Sequence, residues 1–201
     1  MSKQISSGKA EAVTRIIACS VFKPAMEQLQ MEKKYPNLRI TYLPSNLHMQ
    51  PKKLRADMLR WITRSKKKNE KIICLYGDCF PDIEATCQCR GAIKVPGYHC
   101  YQMLLGMKLF NRIIEQTAGT FFLEKDLILD FEEFCMRPLE LHDKELRSDF
   151  FKNYKKLIYV RQPSDEDLIS KASELAGLLE LSLEIKDADY SYLKKELTKF
   201  L

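Results

Sequence analysis

The sequence contains no run approaching the roughly eighteen consecutive apolar residues that a membrane-spanning helix requires. Its first apolar segment, Ile16 to Val21, is too short for the hydrophobic region of a secretory leader, and no small-residue cleavage pattern follows a long apolar stretch. These absences lead us to expect a cytoplasmic protein with no membrane association. No fixed-period repeat and no low-complexity linker divides the chain. The seven cysteines are odd in number and, in a reducing compartment, do not make a disulfide framework. What remains for them is metal ligation, catalysis or core filling. With 201 residues, 45% of them hydrophobic, the chain can bury a substantial core without any covalent staple.

A formal charge of +6 raises the question of nucleic acid. The densest basic run, SKKKNEK at 65–71, lies between a predicted helix and a predicted strand and has no interleaved aromatic on which a base would stack. It reads as a solvated turn, so nucleic-acid binding is not expected.

Along the chain, short apolar runs alternate with helical periodicity. Strands are predicted at 14–19, 38–43, 71–76, 92–95 and 155–160, and again at LSLEIK. Between them the spacing predicts helices over 23–34, from Pro51 to about Arg64, over 100–116, and from Ser164 to Leu179 with Ser164 and Asp165 as caps. TFFLEKDLI is open to a strand or a helix entry, residues 127–152 read as mainly helical with a break at Pro138, and a last helix starts at Tyr190. This alternation predicts an α/β fold, a mainly parallel, doubly wound, Rossmann-like sheet with helices on both faces. A tail over 1–13 precedes a core domain over 14–124, and an α/β part over 125–201 packs on that core. Tyr190, Tyr192 and Leu193 would cover the sheet or make a homo-oligomer contact.

In open α/β sheets, sites form beyond the carboxyl ends of the strands. Cys19 ends the first strand, Cys79 in YGDC lies just past the third, and Cys100 in VPGYHC lies just past the fourth. Cysteine is among the most buried residue types, so any one of these is as readily core filler, and Cys74 and Cys135 read that way. Three thiols at equivalent strand ends, separated by spacings of roughly 4.8 Å if the strands are neighbours, form a pattern that filler does not explain. Such a set would hold zinc or an iron–sulfur cluster. His48, in the loop after the second strand, reaches the same edge, and His99 stands beside Cys100; each is a candidate acid/base group, with His99 also a second-rank ligand. Cys87 and Cys89, in CQC, are too tightly spaced for the usual zinc pattern and are likewise second-rank ligands. Asp78 reads either as a turn residue or as a group orienting a ligand.

The segments IIACSVF, ITYLPSNLHMQPKKLR, IICLYGDC and HCYQMLLG followed by GTFFL resemble the uncharacterised domain-of-unknown-function family 1638. The resemblance runs from about Arg15 to Leu123, with a weaker echo at NYKKLIYV. It matches Cys19, Glu27, His48, Arg55, Tyr76, Gly77, Cys79, Cys100, Gly106, Gly119 and Thr120 by position. Two departures stand out: Tyr98-His99 occupies the place of the family's His-Asp, and FPDIEATCQC replaces a glycine-rich continuation. The resemblance implies a one-carbon context of corrinoid-dependent methyl transfer. The plan is also similar to anaerobic α/β enzymes that hold a [4Fe–4S] cluster through three strand-tip cysteines and leave one iron open.

Three functions follow as expectations. The first is a metal centre, a [4Fe–4S] cluster or Zn²⁺ with a slight lean to iron–sulfur, in an enzyme or in an accessory to a methyltransferase, corrinoid or redox partner protein. The second is a metal-free thiol enzyme with Cys79 or Cys100 as nucleophile. The third is a non-catalytic module that binds an acidic partner.

Overall fold

Parallel strands covered on both faces are written as short, nearly continuous apolar runs, and IIAC and IICL behave accordingly: Ile16, Ile17, Ala18, Ile73, Cys74 and Leu75 are wholly buried. The computed structural model describes residues 12–201. Most of the expected N-terminal tail, residues 1–11, lies outside the described residues, and β1 begins at Thr14.

The first half runs β1 (Thr14–Cys19), α1 (Lys23–Gln28), α2 (Met31–Lys34), β2 (Leu38–Leu43), α3 (Pro51–Lys67), β3 (Lys71–Leu75), α4 (Ile83–Cys89), β4 (Ile93–Lys94), α5 (Cys100–Leu105) and α6 (Met107–Gln116). The second runs β5 (Thr120–Leu123), α7 (Lys125–Leu129), a π-helical turn (Glu132–Met136), α8 (Lys144–Phe151), β6 (Lys156–Arg161), α9 (Ile169–Leu178), β7 (Ser182–Asp187) and α10 (Ser191–Thr198). All strand pairings are parallel, as the alternation predicts, and the fold is a Rossmann-like α/β arrangement. The strands divide between two sheets, however, ordered β2-β1-β3-β4 and β5-β6-β7. The first sheet stops at β4 because that strand pairs at only two positions, Ile73 with Ile93 and Cys74 with Lys94, before Pro96 ends it. Proline offers no N–H to a further ladder.

The two sheets meet at their carboxyl ends. Beyond β2, Ser45 Oγ donates to Asp126 Oδ2 beyond β5 at 2.7 Å. Beyond β6, the buried amide of Gln162 donates to Val21 O at 3.0 Å and accepts from Tyr190 Oη at 2.8 Å. The chain then returns: Asp189 N donates to Leu104 O at 2.8 Å, and Leu193 and Leu197 of α10 enter the core of the first half. The last helix therefore covers the first half and ties the two together.

Three boundaries differ from expectation for local reasons. The helix over 23–34 breaks at Gln30, which adopts φ 53°, and that over 100–116 breaks at Gly106, with φ 81°. Asp165 does not cap α9; it accepts from Gln162 N and Tyr159 Oη, both at 2.8 Å, so residues 162–168 form a held turn and the helix starts at Ile169.

Candidate functional site

The strand order makes β1, β3 and β4 consecutive neighbours and places the reversal of chain direction across the sheet between β1 and β3. Cys19 closes β1. Cys79 follows β3 by a short loop, and Cys100 opens α5 after β4.

What brings the last two thiols together is a glycine. A Cβ on Gly77 would sit 2.7 Å from Tyr98 O, 3.0 Å from His99 Cα and 3.1 Å from Cys100 N. The YGDC loop thus crosses the YHC loop with no room for a side chain, and Asp78 N donates to Tyr98 O at 2.7 Å. Lys94, its ammonium almost fully buried, binds Asp78 Oδ1 at 3.0 Å and Gly97 O at 2.8 Å and so clamps both loops from below. Tyr98 N is held by the buried Gln102 at 2.9 Å.

The three thiols form one hydrogen-bonded group. Cys19 and Cys79 each donate to Cys100; this raises their own pKa values, and burial adds to the effect. Cys100 is held well below the ordinary thiol range by those two bonds, with smaller help from the Gly77 N–H and the charge of His48. All three are free of disulfides. Among the described residues no group of three or more His, Cys, Asp or Glu side chains is placed so that it could hold a metal ion.

Tyr76 adds an observation that sequence reasoning missed. One step beyond the paired positions Ala18 and Leu75, Cys19 and Tyr76 stand side by side at the tips of β1 and β3. Tyr76 is 1% exposed, and its hydroxyl is the one buried side-chain polar atom among the described residues without a hydrogen-bond partner. Burial raises its pKa first, followed by the charges of Cys19, Cys100 and Cys79. An orphaned buried hydroxyl costs about 1–3 kcal/mol. Its strand position reads as one more apolar residue, and nothing in the sequence marks the missing partner.

In front of the thiols lies a cavity of about 170 Å³, floored by Cys19, Cys79 and Cys100 and rimmed by His48 and His99. Both histidines are exposed. Met49, Tyr101, Leu127 and Phe134 make its apolar walls, and Glu124 reaches it from the second sheet. His99, Phe110, Phe122 and Tyr101 form an aromatic column across the junction, with successive centroids 5.6, 5.2 and 5.4 Å apart. Glu124 is 4% exposed and caps α7, accepting from Asp126 N at 2.9 Å and Leu127 N at 3.2 Å. Burial, then the neighbouring Asp126, push its pKa up to about 7. Sequence reasoning missed Glu124 as well, because its place depends on how the second sheet faces the first.

The second-rank residues separate. His99 remains at the rim. Cys87 turns into the core, where it is hydrogen bonded to Cys74, and Cys89 is exposed at the end of α4. Neither lines the cavity. Cys135 is buried in the second core, and His142 pairs with Glu132 at the surface at 2.9 Å. The lysines at 66–68 precede β3 and so lie at the opposite edge of the sheet from the thiols.

A family model described as "Protein of unknown function (DUF1638)" matches residues 42–197. That span includes His48, Tyr76, Cys79, His99, Cys100 and Glu124; Cys19 precedes it and joins the site through the pairing of β1 with β3. No curated protein and no solved structure matches the chain.

Proposed function

The chain belongs to the DUF1638 family, and we propose that it is a metalloprotein whose Cys19, Cys79 and Cys100 hold a [4Fe–4S] cluster or a zinc ion at the floor of the cavity. The observation that carries this reading is the convergence of three thiols from three adjacent strand tips on one cavity. Two features of the chain fit such a group. The donor set is made of thiols alone, the ligand type that zinc and iron–sulfur clusters share. Near it lies the buried Tyr76 hydroxyl, a polar atom left without a hydrogen-bond partner. The all-thiol set tilts the reading toward iron–sulfur.

When bound, a centre with three protein ligands supplies an open position for Lewis-acid, redox or thiol-activating chemistry. The chain's own residues do the rest. Met49, Leu127 and Phe134 keep the cavity apolar, and its volume, near the about 150 Å³ that accommodates benzene, favours a small substrate. His48 and His99 at the rim and Glu124 on the opposite wall are the groups able to hold or move a proton there. We infer a role in one-carbon methyl transfer or redox metabolism, as an enzyme or as an accessory to a corrinoid, methyltransferase or redox partner. The support for that context is the family resemblance. Metal and acid-labile sulfide analysis of anaerobically purified protein tests the reading; protein free of both iron and zinc would overturn it.

One observation favours a second reading, a metal-free thiol enzyme. Cys100 is held toward the thiolate by two neighbouring thiols and opens a helix at the cavity floor. That reading predicts one fast-alkylating cysteine, Cys100, in metal-free protein. Three equally slow thiols would dispose of it.

A further inference from the structure

Helix α3 carries seven lysines and arginines against one acid, Asp57, a net of +6 that equals the formal charge of the whole chain. The basic excess of the protein therefore lies on one helix. Part of it suits the helix itself: Arg64, Lys66 and Lys67 stand in the last turn, where cations complement the negative end of the dipole. Lys52 and Lys53 do the opposite. They occupy a first turn that holds no acid, where a cation opposes the dipole.

Leu54, Met58 and Ile62 bury the inner face of α3. On its outer face Lys53, Ala56, Arg60, Thr63 and Lys67, all exposed, repeat at intervals of three and four, the spacing at which one helix seats against another. Basic side chains thus alternate with small ones over about 21 Å. A shallow groove runs there, lined by Ala56, Leu59, Arg60, Thr63, Arg64 and Lys67. A lipid surface would call for large apolar side chains to insert, and α3 exposes none. A single nucleic-acid strand would call for an exposed aromatic, but Trp61, the one aromatic of the helix, is half-buried with Arg64 over its ring. A duplex would meet the charges and leave the groove and its small residues unexplained.

We propose that the outer face of α3 docks an acidic α-helix of a partner protein, its carboxylates against Lys53, Arg60 and Lys67 and its backbone brought close at Ala56 and Thr63. The first-turn lysines then have a reason to stand where the helix alone would not place them. The stripe begins just after Met49, a wall residue of the thiol cavity, so a partner seated on it stands beside the cavity mouth. The docking face does not depend on what the thiols bind.

The probe is a synthetic helical peptide with its glutamates confined to one face, titrated into the full-length protein and followed by the fluorescence of Trp61, the chain's only tryptophan, and by amide shift mapping. Wild type should bind it more tightly than a peptide of the same composition whose glutamates are spread round the helix. Lys52→Glu with Lys53→Glu should weaken binding at least about tenfold and melt no lower than wild type, because acids suit a first turn. Lys194→Glu with Lys195→Glu, the same charge change at exposed positions of α10, should weaken it less than about threefold. Ala56→Gln with Thr63→Gln, which fills the groove and leaves the charge alone, should weaken it about tenfold. No binding of the one-faced peptide by wild type, equal binding of the two peptides, equal losses from the α3 and α10 pairs, or full binding with the groove filled would each overturn the proposal. A Lys52→Glu, Lys53→Glu protein that melts well below wild type would do so too, by giving those lysines to the fold. Binding of a duplex oligonucleotide or of anionic vesicles at α3 without binding of the one-faced peptide would make the occupant nucleic acid or a membrane and end the case for a protein helix.

Discussion

Glu124 shows how much of the site's chemistry is set by surroundings rather than residue type. A glutamate ordinarily titrates near 4.5, and burial beside Asp126 moves it to about 7. Below about pH 4.5 the group is protonated in both folded and unfolded chains. As pH rises toward 7, the unfolded chain ionises first, so stability is lost across that window and levels off above it. The loss is on the order of 3 kcal/mol. Urea denaturation at about pH 5 and about pH 8 should show wild type losing stability that Glu124→Gln retains. Equal pH dependence in the two proteins would refute the assignment. At this scale the sequence was partly legible. Cys19, Cys79 and Cys100 each follow an apolar run and so announce themselves at strand ends, but Tyr76 and Glu124 acquire their character from neighbours that only the folded chain supplies.

Among elements, the crossing of the YGDC and YHC loops positions the thiols, and Gly77 is where it is tightest. Gly77→Ala drives a methyl against Tyr98 O, a backbone atom that cannot swing aside. We expect a loss of about 1–3 kcal/mol in urea denaturation, of the size overpacking usually brings, together with metal uptake reduced at least about tenfold as Cys79 and Cys100 part. Gly177→Ala is the matched control. It lies in α9 with nothing within 4 Å of a new Cβ, and it should gain up to about 1 kcal/mol from helix propensity with metal uptake unchanged. If Gly77→Ala loaded as well as wild type, the crossing would not be what gathers the thiols. Periodicity made most elements legible, yet not their interruptions: Gln30 takes a left-handed conformation that its residue type does not advertise, and Asp165 spends its carboxylate on Gln162 and Tyr159 instead of capping a helix.

At the scale of the molecule, the cavity exists because two parallel sheets meet carboxyl end to carboxyl end. Gln162 is the buried pin of that junction, bonding Val21 on one side and Tyr190 on the other. Gln162→Ala strands both partners and should cost about 1–3 kcal/mol. Combined with Tyr190→Phe the loss should be less than additive, because the second change removes a group the first has already orphaned. Strict additivity in urea denaturation would show that the pair does not act as one. The division into two sheets was not legible in the sequence. Strands such as IIAC and KLIYV carry the same buried, parallel signature, and which sheet each joins is decided by long-range pairing and by a β4 too short to extend the first sheet.

The central claim is that three strand-tip thiols hold one metal centre. Its most direct test is iron, zinc and acid-labile sulfide analysis with an absorption spectrum on anaerobically purified protein, comparing Cys19→Ala, Cys79→Ala and Cys100→Ala with Cys74→Ala, Cys87→Ala and Cys135→Ala. The account predicts about four iron and four sulfide per chain, or about one zinc without sulfide, lost in each of the first three variants and kept in each of the last three. A wild-type protein without metal, or metal that survives the loss of any one of the three strand-tip thiols, would contradict it.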